Sequence, residues 1–439
     1  MRRPGLVTAM LGLVCGLLFQ GCERVAEPTG QVLLYVTTDA PMGEGAGLFD
    51  RLIVDVYAPF ETVPCEGCSR RFAVDDDRMA RGQASFGIFT KPGVGGYRAR
   101  ARLYRSGGTT SGEPRRASTL ESFVSLPVVA STGLVETTVT LHLANLARPQ
   151  GTLEKPLPAE PGPPPEGVVG SFLTGRAMGC VGEAGSDEVC VPGGLFWMGN
   201  PRIDVLDAQQ ADGKSERGVV LSPYFLDLAE VTVEKLRAAR VARVIDDPIE
   251  GNLGRRECVY TAEPSENDAL PVNCLSWQRA RAYCAKVGKR LPSEAEYEYV
   301  AGGRTSQSFG WGGDSPACGD AVFARGTLCG GERRPARAGS GGRDRVLIGG
   351  VALLDLAGNL RELTRDRYRA GNTACWGEGV LVDPVCEPDT ADDLVERSVR
   401  GGSFGDEATL LRAAQRSFVE NERFAVSELV GFRCARSGR

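Results

Sequence analysis

Histidine is almost missing from this chain: among 439 residues only His142 carries an imidazole. It sits in a strand-like run with apolar neighbours, which fits a structural or edge position. No Ser-His-Asp arrangement and no multi-histidine metal site can be assembled from it. A basic excess is missing too, since 51 Lys and Arg face 56 Asp and Glu for a net charge of -5. That balance excludes a nucleic-acid groove, which needs a positive stripe along the phosphates. A phosphate loop is absent as well. Val287-Gly288-Lys289-Arg290 has no serine or threonine after the lysine and no glycine-rich turn before it. Beyond the N-terminus no apolar run is long enough to span a bilayer.

The N-terminus itself reads as an export signal. Arg2 and Arg3 precede an apolar run from Leu6 to Phe19, and no stop-transfer flank follows. Its end, Leu18-Phe19-Gln20-Gly21-Cys22, resembles a bacterial lipobox, in which cleavage before the cysteine is followed by acylation of its sulfur. The reading is a signal peptide over 1–21, a lipidated Cys22, and a short tether over 22–30. The alternative is cleavage by the general signal peptidase and a plain secreted protein. Two or three acyl chains would anchor the chain durably, at about 0.8 kcal/mol per buried methylene. The expected location is the bacterial cell envelope, on its periplasmic or outer surface, with the membrane as one partner.

Fourteen cysteines suit an oxidising compartment. Setting Cys15 and Cys22 aside, most fall into close couples: Cys65–Cys68, Cys180–Cys190, Cys258–Cys274, Cys318–Cys329 and Cys375–Cys386. The two left over, Cys284 and Cys434, would tie the middle of the second half to its end. Counting does not fix the connectivity. Cys65-Glu66-Gly67-Cys68 could instead be a redox pair, but no helix start follows to lower a thiol pKa.

Residues 31–148 offer short β-branched or alternating runs at 32–36, 52–57, 97–104, 123–129 and 134–143, separated by turns such as 106–112. They predict a small β-sandwich without catalytic clustering, suited to spacing or adhesion. Residues 149–170 are Pro-rich and predict a semi-rigid extended linker. From 171 to 439 three helices are expected. Thr232 caps one from Val233 to about Val244, ending before Asp247-Pro248. Ser276 caps a second, with Trp277, Ala280, Cys284 and Val287 on one face. Ser293 and Glu296 form a capping box for a third, closed by Gly302-Gly303. Glu294, Glu296 and Glu298 share that short helix, which fits capping and solvent exposure better than the facing carboxylates of a glycosidase. All four tryptophans, Trp197, Trp277, Trp311 and Trp376, lie in this half. Core and rim packing is the expected role, and a groove lined by one or two would be the binding surface.

The second half carries an ordered series of motifs. Val191-Pro192-Gly193-Gly194 with Trp197-Met198-Gly199 comes first, then Leu221 to Asp227 with Glu230-Val231-Thr232. Pro271 to Trp277, Ala282-Tyr283-Cys284 and Gly288 to Tyr299 follow, then Phe309-Gly310-Trp311-Gly312 and Leu356 to Leu363. Arg400-Gly401-Gly402-Ser403-Phe404 and Gly431-Phe432-Arg433-Cys434-Ala435 close the series. Together they resemble the formylglycine-generating enzyme, or sulfatase-modifying factor, family. The resemblance implies an α+β fold related to C-type lectins, and it too pairs Cys284 with Cys434.

Enzymes of that family oxidise a sulfatase cysteine to formylglycine with O₂ and a copper ion held by two cysteines. In the enzyme pattern those cysteines follow the Arg-Gly-Gly-Ser-aromatic turn; here the matching places hold Asp406 and Leu411. Copper(I) is soft and wants thiolates, so copper and formylglycine synthesis are not expected. Arg412 and Arg416 match arginines of the pattern, and Arg400 and Ser403 complete a cleft that is degenerate rather than catalytic. A family calcium site carries over to Asp355, Gly358, Leu360 and Glu362, hard oxygen donors crowded in a turn. A second is echoed weakly at Asp320 and Ala321. The function implied is a non-catalytic binding or assembly module with an envelope protein or glycan as partner. Alternatives are an enzyme with diverged chemistry and a surface adhesion protein. The iron-dependent sulfoxide synthases of the family rely on three histidines, which this chain does not have.

Overall fold

Period-two burial builds the first half. Along the strand Gly30–Thr38, Val32, Leu34 and Val36 are buried while Gln31, Leu33 and Tyr35 are partly open, as a half-covered pleat requires. The computed structural model describes residues 30–42, 48–82, 84–130, 133–172, 175–202, 212–241, 257–371, 373–386, 396–419 and 427–439. The signal segment, Cys22 and Asp247-Pro248 lie outside the described residues.

Gly30–Thr38 pairs in parallel with Leu134–Leu141 and antiparallel with Ser85–Thr90. A second sheet joins Ser69–Ala73, Arg51–Tyr57, Arg98–Tyr104 and Thr119–Ser125. The two sheets share one core in which Val32, Leu34 and Val36 meet Leu52, Val54, Ala101 and Leu103. The expected sandwich is thus formed, with local differences. The strand anticipated at 123–129 runs instead from Thr119 to Ser125, since Pro127 has no N–H to offer a ladder. Ser69–Ala73 and Ser85–Thr90 were not anticipated. The first is a charged edge bearing Arg70 and Arg71, and the second is interrupted by Gly87. A one-turn helix, α1 (Asp76–Ala80), is capped by Asp75.

The Pro-rich segment is extended, as its composition demands, but it lies along the sandwich instead of spanning a gap. Leu157–Pro158 pairs with Val124 and Ser125 of one sheet, and Glu160–Pro161 with Thr137 and Thr138 of the other. Proline tolerates such edges because there it has to supply only its carbonyl acceptor and no N–H.

In the second half, α2 (Val233–Val241) begins after Thr232, whose Oγ1 accepts the Lys235 N–H at 3.3 Å. Ser276 caps α3 (Trp277–Lys286), and Ser293 with Glu296 completes the capping box of α4 (Glu294–Gly302), which stops at Gly303 with φ 64°. On α3, Ala280 and Cys284 are buried, whereas Val287, expected on the same face, is exposed just past the helix end. Around these helices run short strands, chiefly the sheet ordered Ser417–Val419, Arg397–Arg400, Arg361–Arg367 and Val430–Gly431. The architecture is α+β. All six expected disulfides form, including Cys284–Cys434 across 150 residues, and Cys65–Cys68 closes a turn with no helix behind it. That density of disulfides fits an extracellular or envelope protein. Among the described residues no helix is long and apolar enough to cross a membrane.

The halves are not loosely strung. Leu195, Trp197 and Val220 of the second complete the core of the sandwich. Trp197 is fully buried, meets Phe49 edge to face at 5.4 Å, and donates Nε1–H to the Leu48 carbonyl at 3.0 Å. Beside it Glu216 holds both Arg105 and Arg115.

Candidate functional site

The turn after strand Arg397–Arg400 can only be made with glycine. Gly401 and Gly402 have φ of 93° and 73°, and a Cβ on Gly401 would fall 2.3 Å from the Tyr297 hydroxyl oxygen. The turn returns through Ser403 and Asp406 to a short 3-10 segment, Ala408–Leu411, and then to Arg416. All six residues expected at the cleft are therefore on one stretch of chain, and α4 packs against it.

Glu294 and Glu298 stand one helical turn apart on α4 and share a face. Arg400, with no exposed side-chain surface, donates to Glu294 at 2.9 Å, to Glu298, and to the Ala413 carbonyl at 2.5 Å. Arg416 donates to the two oxygens of Glu294 at 2.6 and 3.0 Å. Burial alone would raise the Glu294 pKa, but Arg416 and then Arg400 outweigh it and hold the carboxyl at about 2. This corrects the expectation that Glu294, Glu296 and Glu298 face solvent: all three are buried. Glu296 is neutralised locally by Arg290, but the arginines that neutralise Glu294 and Glu298, Arg400 and Arg416, lie far away in sequence.

Asp406 is equally committed. Arg361 donates from Nε to Oδ2 at 2.7 Å and also reaches Oδ1, while the Ser403 hydroxyl donates to Oδ2 at 2.8 Å. Leu411 is fully buried with Phe309, Phe323 and Ala357. Arg412 follows it, its carbonyl accepting the Gln415 N–H at 2.8 Å. Every cysteine among the described residues is in a disulfide. Nearby, Trp376 lies between Arg217 and Arg416, at 5.3 and 5.2 Å from its ring. The space these residues leave with Glu298 is about 10 Å³, room for roughly one water.

The residues carried over for calcium meet in a second buried cluster. Asp355 takes φ 54° and accepts the Gly339 N–H at Oδ2, 2.7 Å away, while its buried Oδ1 has no partner among the described residues. Gly358 shapes the turn, and the Leu360 N–H donates to Glu230 at 3.2 Å. Glu362 is gripped by Arg433, with two contacts of 2.6 Å. Asp344 accepts the Leu356 and Ala357 N–H groups at 3.0 and 2.9 Å. Burial pushes Asp355 up to about 6, and burial with the Asp355 charge pushes Asp344 up to about 7. Glu230 is raised by burial and by Asp355 and Glu362. Glu230, Asp344, Arg361 and Arg433 were not singled out as site residues from sequence. The motifs Glu230-Val231-Thr232 and Gly431-Phe432-Arg433 were the available signal. Asp320 borders this cluster through its backbone, its carbonyl accepting the Asp344 N–H at 3.0 Å, while its carboxylate accepts the Ala317 N–H at 2.9 Å with Arg343 at 3.6 Å, and Ala321 is buried beside it. Among the described residues no three His, Cys, Asp or Glu side chains are arranged to hold a metal ion.

The four tryptophans pack as core and rim. Trp197 and Trp376 are buried, and Trp277 and Trp311 partly so. His142 follows the strand Leu134–Leu141 and faces Asp39 at 2.9 Å.

Residues 179–438 match the sulfatase-modifying factor enzyme 1-like domain. A Bos taurus protein named inactive C-alpha-formylglycine-generating enzyme 2 is 27% identical over 307 residues, covering 60% of this chain and 93% of that protein. A formylglycine-generating enzyme of Mycobacterium tuberculosis is 31% identical over 180 residues, 37% of this chain and 56% of its own length. The solved structure of PvdO from Pseudomonas aeruginosa overlays 57% of this chain and 94% of that one, at 23% identity and a TM-score of 0.44. With the domain match spanning more than half of its length, the chain belongs to the sulfatase-modifying factor, or formylglycine-generating enzyme, family.

Proposed function

We propose that this protein is an envelope-anchored lipoprotein whose sulfatase-modifying-factor domain is a binding or assembly module and not an oxidase. One observation carries the reading. Where the enzyme pattern places its two copper-holding cysteines, this chain has Asp406, saturated by Arg361 and Ser403, and Leu411, sealed in an apolar cluster. Neither can hold copper(I), which requires soft thiolates. No described cysteine is free to replace them. The bovine and mouse relatives whose names call them inactive support the same reading.

The partner is an envelope protein or glycan, and Cys22 supplies the anchor. The test incubates the purified chain with copper(I), O₂ and a cysteine-containing sulfatase peptide, and follows metal content and peptide mass. The expected result is no stoichiometric copper and no aldehyde. Bound copper with turnover of the peptide would overturn the reading. Crosslinking in the intact envelope then identifies the partner.

A further inference from the structure

The sandwich has two unlike ends. At one, Leu48, Phe49, Arg105, Arg115 and Leu146 meet the second half of the chain. At the other, three connections and the first described residue converge. Loops 58–68, 91–97 and 126–130 touch one another there. Gly93 N–H donates to the Val129 carbonyl at 2.7 Å, and Gly96 abuts Pro59. Gly30 opens its strand opposite Thr90 at this same end, so the chain from Cys22 enters here.

The exposed apolar side chains follow that polarity. In residues 30–148, every large apolar side chain that is exposed among the described residues belongs to this end: Phe60, Val63, Phe89, Val94, Val128 and Leu134. Phe60 is 98% exposed and held at φ 67°, a left-handed conformation that an aromatic residue rarely adopts. Its loop is rigidly fixed. Cys65 and Cys68 close it, and Arg98 donates at 2.8 Å to the carbonyls of both Ala58 and Glu61. Phe89 and Leu134 flank Gln31 in one row of the sheet, and so on one face. A set of apolar side chains left exposed among the described residues at one end marks a surface meant to be covered.

We infer that this end of the sandwich docks on a lipid bilayer, with Phe60 and Val63 entering the interfacial region. The inference rests on the lipid-anchor reading. From Cys22 to Gly30 the chain can span at most about 28 Å, so an acylated Cys22 holds the end where Gly30 enters within that reach of the membrane. Glu61 and Glu66 against Lys91 give the tip no basic excess, so contact is apolar and does not require anionic lipid. The sandwich then acts as a stalk that holds the family domain away from the bilayer.

The test uses the full chain with Phe60→Trp in phosphatidylcholine vesicles whose acyl chains carry bromine, and subtracts the unsubstituted protein's fluorescence. The added indole is expected to be blue-shifted and quenched, and Val63→Asp with Val128→Asp to abolish the quenching while the melting temperature holds. No quenching in protein whose Cys22 is shown by mass spectrometry to be acylated overturns the docking surface and leaves the anchor intact. An unacylated Cys22 sinks the anchor reading instead, and quenching in that soluble chain would still support the surface. Crosslinks from position 60 to an envelope protein, with no quenching, also overturn it.

Discussion

Arg361 donates from Nε to Oδ2 of Asp406 at 2.7 Å and reaches Oδ1 with a second nitrogen. The pair ties the turn after Gly401 and Gly402 to the neighbouring strand Arg361–Arg367. Asp406 is 6% exposed and Arg361 21% at the side chain, so the pair sits between a surface bridge and a buried one. Asp406→Ala is expected to cost about 1–3 kcal/mol, below the about 3–5 of a fully buried pair, because water can reach the stranded guanidinium. Chemical denaturation measures it, and an unchanged midpoint would show that the pair is not what fixes the turn.

Glu294 carries a larger load, because Arg400 and Arg416 both depend on it and all three are buried. Glu294→Gln should destabilise the fold by about 3–5 kcal/mol, the usual penalty for stranding buried charge. The pH dependence follows the same carboxyl. Its folded-state pKa of about 2 lies below the ordinary 4.5, so its contribution is present above pH 4.5 and is lost as pH falls toward 2. Denaturation midpoints between pH 5 and about 2 should drop more steeply in the parent than in the variant.

Local features of this fold were legible in the sequence, and long-range ones were not. Ser276 and Ser293 announce their helices because capping acts within three residues. The close cysteine couples pair because short spacing keeps them together, whereas Cys284–Cys434, 150 residues apart, is the pairing that the family resemblance implies. Glu294 misled the reading. Its burial depends on arginines more than 100 residues away, which no helical pattern reveals. Trp197 was read as core, yet nothing local says that the core it enters is the sandwich's own.

That shared core makes a prediction about folding. Two independent domains would melt in two steps, but Trp197, Leu195 and Val220 are buried against the sandwich and Glu216 bridges to Arg105 and Arg115. The full chain is therefore expected to show one cooperative transition by calorimetry. Trp197→Ala should lower the stability of both halves together by about 3–5 kcal/mol, as loss of a large buried side chain does. Two resolved transitions, with only the second shifted by the substitution, would show that the contact is incidental.

The calcium that family resemblance carries to Asp355 has no ready-made ligand set, since no three carboxylates among the described residues are arranged to hold a metal ion. The Asp355 Oδ1 is buried without a partner among the described residues, Asp344 and Glu230 lie close enough to be raised by it, and Arg433 is already spent on Glu362. Unpaired oxygen charge in a tight turn is what a hard divalent cation relieves. Asp355→Asn is the sharpest probe, since asparagine tolerates φ 54° and its carbonyl can still accept the Gly339 N–H. Calcium at 100 times its dissociation constant should stabilise the parent by about 2.7 kcal/mol. The melting temperature of the parent should rise with calcium and fall with chelator, while Asp355→Asn responds to neither. A parent indifferent to millimolar calcium would mean that protonation, rather than a cation, neutralises this cluster.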